Sequence, residues 1–140
     1  MGKGIIFTDL DGTLYKDGIP FRGVVESLNT LSNDGYKIYY TTNNTSICSS
    51  DYLIKLSDLN FPVDEDKIIN PIKVTKKFFQ ESNYNQIYIS ASDAVKKELF
   101  SDVVYEENHI DPDAIIITFN KEIDYMEMKK ICELVNSGVP

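Results

Sequence analysis

Two aspartates, Asp9 and Asp11, follow the apolar run Ile5-Ile6-Phe7 and lead into Gly12-Thr13. No other feature limits the fold of this chain as strongly. A short β-branched apolar run reads as a buried strand, here ending at Thr8-Asp9. Open α/β sheets bind ligands at the carboxyl ends of their strands, which is where both acids fall. A two-residue step in extended chain points both side chains the same way. Two carboxylates aimed into one crevice repel each other, and a bound cation removes the repulsion. Oxygen ligands of this kind suit Mg²⁺, which keeps several waters and takes one or two carboxylates. A carboxylate so held can attack a phosphoryl group and form a covalent intermediate. Its neighbour can protonate the leaving oxygen and then activate water. Gly12 and the turn after it let backbone N–H groups, with that of Leu10, approach a phosphate. Asp-Gly is also a frequent turn dipeptide. The catalytic reading rests on the whole run Phe7 to Leu14, standing directly after a strand.

The rest of the chain alternates strand and helix patterns. Asp11 to Pro20 is turn-rich and fits a small hairpin or flap, with Leu14-Tyr15 and Ile19 as its arms. Arg22 to Asn33 places Val24, Val25, Leu28 and Leu31 on one helical face, closed by Gly35. Tyr36 to Thr41 is a second strand. Ser49 or Ser50 caps a helix with Tyr52, Leu53, Leu56 and Leu59 inward. Lys67 to Asn70 is a short third strand. This order predicts an α/β fold with a Rossmann-like parallel sheet and right-handed crossovers. Thr42 and Asn43 then fall at the carboxyl end of the second strand. There a hydroxyl and an amide can hold a phosphoryl oxygen where charge develops.

Beyond residue 70, Pro71 suits the first position of a helix capped by Asn70. Ile72, Val74, Phe78 and Phe79 give that helix its apolar side. Gln86 to Ile89 and Ala114 to Phe119 read as strands. Ser92 caps a short helix carrying Val95 and Leu99. Tyr125 to Asn136 is a helix with Met128, Ile131, Cys132 and Val135 inward. The acidic stretch from Glu106-Glu107 to Asp113, with the single histidine His109, reads as a solvated loop.

Net charge is −8, so the chain lacks the basic footprint of a nucleic-acid or anionic-membrane binder. No stretch approaches the roughly 18 consecutive apolar residues of a membrane span. Cys48 and Cys132 stand far apart and read as reduced, buried thiols of a cytoplasmic protein. The N-terminus shows no signal-peptide pattern.

Asp9 to Thr13 resembles the first motif, Asp-x-Asp-Gly-Thr, of the haloacid dehalogenase superfamily of phosphatases. The resemblance makes Asp9 the nucleophile and Asp11 the acid–base. It implies a metal held by the Asp9 side chain and the Asp11 carbonyl. Thr42 matches the second motif, a Thr or Ser that ends the next strand. The Thr42-Asn43-Asn44 form and the Leu14-Tyr15 flap look most like the NagD and p-nitrophenylphosphatase branch. There a large α/β cap is inserted after the third strand. The resemblance thus implies that residues 1–70 are the N-terminal half of the core and residues 71–140 part of the cap. It implies a small phosphorylated metabolite as substrate and Mg²⁺ as cofactor.

The third motif of the family is a Lys and the fourth a Gly-Asp-type loop, and both follow the cap. Lys121, Lys129 and Lys130 precede its end, and no Gly-Asp occurs in the chain. In the family sheet the first strand is central, and the missing half supplies its other neighbours. Without them an apolar edge is left unpaired. Such a chain hides it by rearranging, by forming a homo-oligomer or by pairing with a separate C-terminal half; otherwise it is a piece of a longer protein. Two further readings compete with a phosphatase. One is a binding or assembly module that kept the first motif but lost turnover. The other is a signalling receiver, which needs a phospho-acceptor Asp ending the third strand; here that strand ends at Asn70, and Asp51 and Asp58 fall in a helical pattern.

Overall fold

The computed structural model describes residues 3–100 and 111–140. The chain divides into two compact units. One holds the described residues up to Asn43 together with Ser49–Pro71; the other holds Asn44–Cys48 and the described residues of Ile72–Pro140.

The first unit is built on a parallel sheet. Strand β1 (Gly4–Asp9) pairs with β4 (Tyr36–Thr41), and β4 pairs with β5 (Ile68–Ile69), in the order β1-β4-β5. Between β1 and β4 lie the antiparallel hairpin β2 (Tyr15–Lys16) and β3 (Ile19–Pro20), then helix α1 (Val24–Asn33). Helix α1 starts two residues later than the Arg22 start that the sequence suggests. The cause is Gly23, whose φ of 80° is not helical. Gly35, at φ 92°, ends it as expected.

Helix α2 (Ser49–Asp58) joins β4 to β5. It begins at Ser49, so the residue before it is Cys48 rather than a serine. Ser49 is instead buried, and its Oγ accepts a hydrogen bond from Asn70 Nδ2 at 3.1 Å. The helix ends in a Schellman arrangement: Asn60, at φ 62°, donates to Ser57 O and Phe61 N donates to Leu56 O. Tyr52 and Leu56 are fully buried along its inner face, with Leu10, Leu14, Tyr15, Ile38, Tyr40 and Ile68 also in the core.

Strand β1 is not buried as its composition suggests. Ile5 and Phe7 are 59% and 63% exposed, on the sheet face they share with Lys37 and Tyr39, and β1 pairs only with β4 among the described residues. Phe7 stacks on Tyr39, with ring centroids 5.3 Å apart.

The second unit comprises most of α3 (Pro71–Glu81), with β6 (Ile87–Ser90), α4 (Asp93–Phe100), β7 (Ala114–Ile117) and α5 (Tyr125–Asn136). Strands β6 and β7 pair in parallel, from Ile87↔Ala114 to Ser90↔Ile117. One face packs Ile87, Ile89 and Ile116 against Ile72, Val95 and Leu99. The other packs Tyr88 against Ile131 and Leu134. The inward face of α5 therefore departs from the sequence reading. Ile131 is buried, but Met128, Cys132 and Val135 are exposed, and Leu134 takes the inner position. A step of three residues keeps Ile131 and Leu134 on one stripe, whereas Cys132 is turned about 100° away. On α3, Ile72 is buried while Val74 and Phe78 are exposed. Glu106, Glu107 and His109 lie outside the described residues. No helix among those described is long and apolar enough to cross a membrane.

Candidate active site

The parallel register sets Asp9 beside Thr41 and brings the carboxyl ends of β1 and β4 level. The residues just past those ends therefore meet. Asp9, Asp11, Thr41, Thr42 and Asn43 line one open cleft of about 540 Å³. Of the side chains singled out from sequence, those of Asp9, Asp11, Thr42 and Asn43 line this cleft, and that of Leu10 does not.

Asp9 is exposed, and its Oδ2 accepts a hydrogen bond from Thr13 Oγ1 at 2.9 Å. Leu10 is fully buried, so only its backbone can face the cleft. Its carbonyl accepts from Thr13 N and Leu14 N, which closes the turn after β1. Gly12 has φ 84°, a conformation few other residues adopt, although the space around it is open. The Gly12 N–H donates to the Tyr15 carbonyl at 2.8 Å. This amide therefore closes the turn and is not poised for a phosphate, contrary to the sequence expectation.

Thr42 is half-buried, with its N–H donated to Ile69 O at 3.1 Å and its Oγ1 3.4 Å from the Tyr52 hydroxyl. Thr41 Oγ1 donates to Thr8 O, tying the two strand ends together. Asn43 is exposed. The third strand ends at Ile69, and Asp51 and Asp58 lie on α2, so no acid sits where a receiver's phospho-acceptor would.

Sequence reasoning missed Lys55 and Tyr52 behind the cleft. Lys55 Nζ lies 3.5 Å from Asp11 Oδ1. The same amine sits over the Tyr15 ring, 4.2 Å from its centroid, and 5.9 Å from that of Tyr52. Tyr15 does not line the cleft from the flap; it is 1% exposed, beneath Lys55. Among the described residues its hydroxyl makes no hydrogen bond. Burial, and then the Asp11 carboxylate, raise the Tyr15 pKa far above its ordinary value. The available signal was helical spacing: Tyr52 and Lys55 are three residues apart and share a face.

Among the described residues no three His, Cys, Asp or Glu side chains form a metal-binding group. Asp9 and Asp11 are the acids at the cleft, and both are exposed hard oxygen donors with room for water. That donor set fits Mg²⁺, which needs one or two carboxylates and retains waters, better than metals that favour thiolate or imidazole.

A family model described as haloacid dehalogenase-like hydrolase matches residues 6–102. The acid sugar phosphatase of Staphylococcus epidermidis is 22% identical over 131 residues, which is 93% of this chain and 51% of that protein. The solved 4-nitrophenylphosphatase of Thermotoga maritima is 27% identical with a TM-score of 0.85, over 99% of this chain and 52% of that one. NagD from Escherichia coli K-12, 21% identical, shares the fold with a TM-score of 0.85, over 99% of this chain and 54% of its own. The chain spans about half the length of the curated relatives it matches. The cleft at the ends of β1 and β4, the parallel α/β core and these matches agree: the chain belongs to the haloacid dehalogenase-like hydrolase family, and within it to the NagD type.

Proposed function

We propose that this chain carries the nucleophile and the acid–base of a Mg²⁺-dependent phosphomonoester hydrolase acting on a small phosphorylated metabolite through an aspartyl-phosphate. The observation that carries the reading is the meeting of Asp9, Asp11, Thr42 and Asn43 in one cleft. An Asp9 carboxylate oxygen attacks phosphorus while the Asp11 carboxyl gives its proton to the leaving oxygen. The bond to the alcohol breaks as the bond to Asp9 forms. Asp11, now a carboxylate, takes a proton from water as that water attacks phosphorus. The Asp9–phosphorus bond then breaks and inorganic phosphate leaves. The Thr42 hydroxyl, the Asn43 amide and the Leu10 N–H hold phosphoryl oxygens where charge develops. Gly12 contributes its turn conformation. Asp9, through its carboxylate, and Asp11, through its main-chain carbonyl, would hold Mg²⁺. The ion supplies charge neutralisation between the carboxylate and the phosphoryl group.

Residues from about 71 onward act in this reading as the first part of a substrate-screening cap. The exposed β1 edge, with Ile5 and Phe7, is covered by a second copy or by a separate complementary half. The reduced cysteines fit a cytoplasmic protein. A second reading is a binding module without turnover.

The test is hydrolysis of p-nitrophenyl phosphate and alkyl phosphates with Mg²⁺, against EDTA and Asp9→Asn controls. Turnover that needs both the metal and Asp9 is expected. The binding module is the better reading if turnover is absent while Mg²⁺ with BeF₃⁻ still raises the melting temperature. Neither turnover nor stabilisation would sink both readings.

A further inference from the structure

Asp11 is held from behind the cleft. Its carboxylate follows the strand on an exposed turn, where water alone would leave it several rotamers. Lys55 Nζ lies 3.5 Å from Asp11 Oδ1. The amine is itself confined, 4.2 Å from the centroid of the fully buried Tyr15 ring and close to that of Tyr52. A cation over two aromatic faces loses freedom and gains attraction from each. Lys55 itself is not among the residues that line the cleft; Asp11 stands between. Its neighbour one helical turn away, Tyr52, places its hydroxyl 3.4 Å from Thr42 Oγ1. The inner face of α2 thus touches both strand ends: Asp11 after β1 through Lys55, and Thr42 after β4 through Tyr52.

We propose that Lys55 is a positioning residue, clamped over Tyr15, that fixes the Asp11 carboxyl for proton transfer to the leaving oxygen. The inference rests on the reading of Asp11 as the acid–base. It differs from the third-motif lysine of the family in place and in task, since it comes from α2 and acts on Asp11 rather than on the phosphate.

Leaving-group dependence reads this role directly. A p-nitrophenolate departs without a proton, whereas an alkoxide needs one. Only the first chemical step enters kcat/KM, so the comparison isolates protonation. In Lys55→Met, kcat/KM for an alkyl phosphate such as glycerol phosphate should fall about tenfold more than for p-nitrophenyl phosphate. Lys55→Arg should restore most of the difference. Equal losses on both substrates, or no loss, would overturn the proposal. The clamp has its own readout in a double-mutant cycle of Lys55→Met and Asp11→Asn, followed by urea midpoints. Non-additive midpoints support it, even in an inactive wild-type chain, an outcome that counts against the phosphatase reading alone. Additive midpoints overturn the clamp.

Discussion

Thr13 Oγ1 donates a hydrogen bond to Asp9 Oδ2 at 2.9 Å. The contact spans one turn of chain and fixes one oxygen of the proposed nucleophile, leaving Oδ1 for attack. Asp9→Asn removes the nucleophile and should lower turnover by at least about a thousandfold. Thr13→Ala removes only the orienting bond on an exposed carboxylate, worth about 1 kcal/mol, or about fivefold in kcat. Steady-state kinetics on p-nitrophenyl phosphate checks both. Equal effects of the two substitutions would mean that Asp9 does not act as the nucleophile.

Helix α2 offers a stability contrast on a single element. Leu56 is 0% exposed and Ile54 is 60% exposed. Leu56→Ala should destabilise by about 2–5 kcal/mol through lost transfer energy and a cavity. Ile54→Ala should stay within about 0.5 kcal/mol. Urea unfolding of both variants measures the difference.

Two buried tyrosines differ in what their hydroxyls do. Tyr40 donates to Pro62 O at 3.0 Å, whereas the buried Tyr15 hydroxyl makes no hydrogen bond among the described residues. Tyr40→Phe leaves a carbonyl unpaired and should cost about 1 kcal/mol, while Tyr15→Phe should be neutral or stabilising. Both side chains have pKa values raised above the ordinary 10.0, mainly by burial, with Asp11 second for Tyr15 and Asp64 second for Tyr40. A raised folded-state pKa means the unfolded chain loses its proton first. The stability these groups contribute is therefore whole below pH 10 and is lost as the pH climbs above it. Urea midpoints from pH 8 to 11 should be flat at first and then fall. The fall should be shallower in each Phe variant.

The exposed face of β1 gives a prediction about mass. Ile5 and Phe7 stand on an edge strand that pairs only with β4 among the described residues. If a second copy covers that edge, light scattering should give a mass above 15.9 kDa. Ile5→Lys combined with Phe7→Lys should return it to the single-chain value. A wild-type mass of one chain would exclude self-association.

Much of the site was legible because it is written in consecutive residues. The run from Ile5 to Thr13 carries strand, acids and turn together, and Tyr36 to Thr41 matches β4 residue for residue. The meeting of Asp9 with Thr42 followed from parallel topology alone. Lys55 was not legible, because its partner Asp11 lies 44 residues away and its helical pattern marks it only as the polar neighbour of Tyr52. The inner face of α5 was misread for another reason. Met128, Cys132 and Val135 are apolar enough to be inward, and only the sheet decides that Ile131 and Leu134 are the ones covered. The exposure of Phe7 is likewise decided by what packs on its face of the sheet, not by the strand itself.

Strand β1 is six residues long, with the open edge along its whole length and Asp9 as its last residue. Its pairing with β4 already fixes Asp9 against Thr41. A polypeptide that docked along the open side would grip the same short backbone that carries the carboxylate. A strand this stiff cannot be shifted along one side without shifting along the other. Whatever covers this edge would therefore do more than shield apolar surface: it would set the reach of the carboxylate into the cleft.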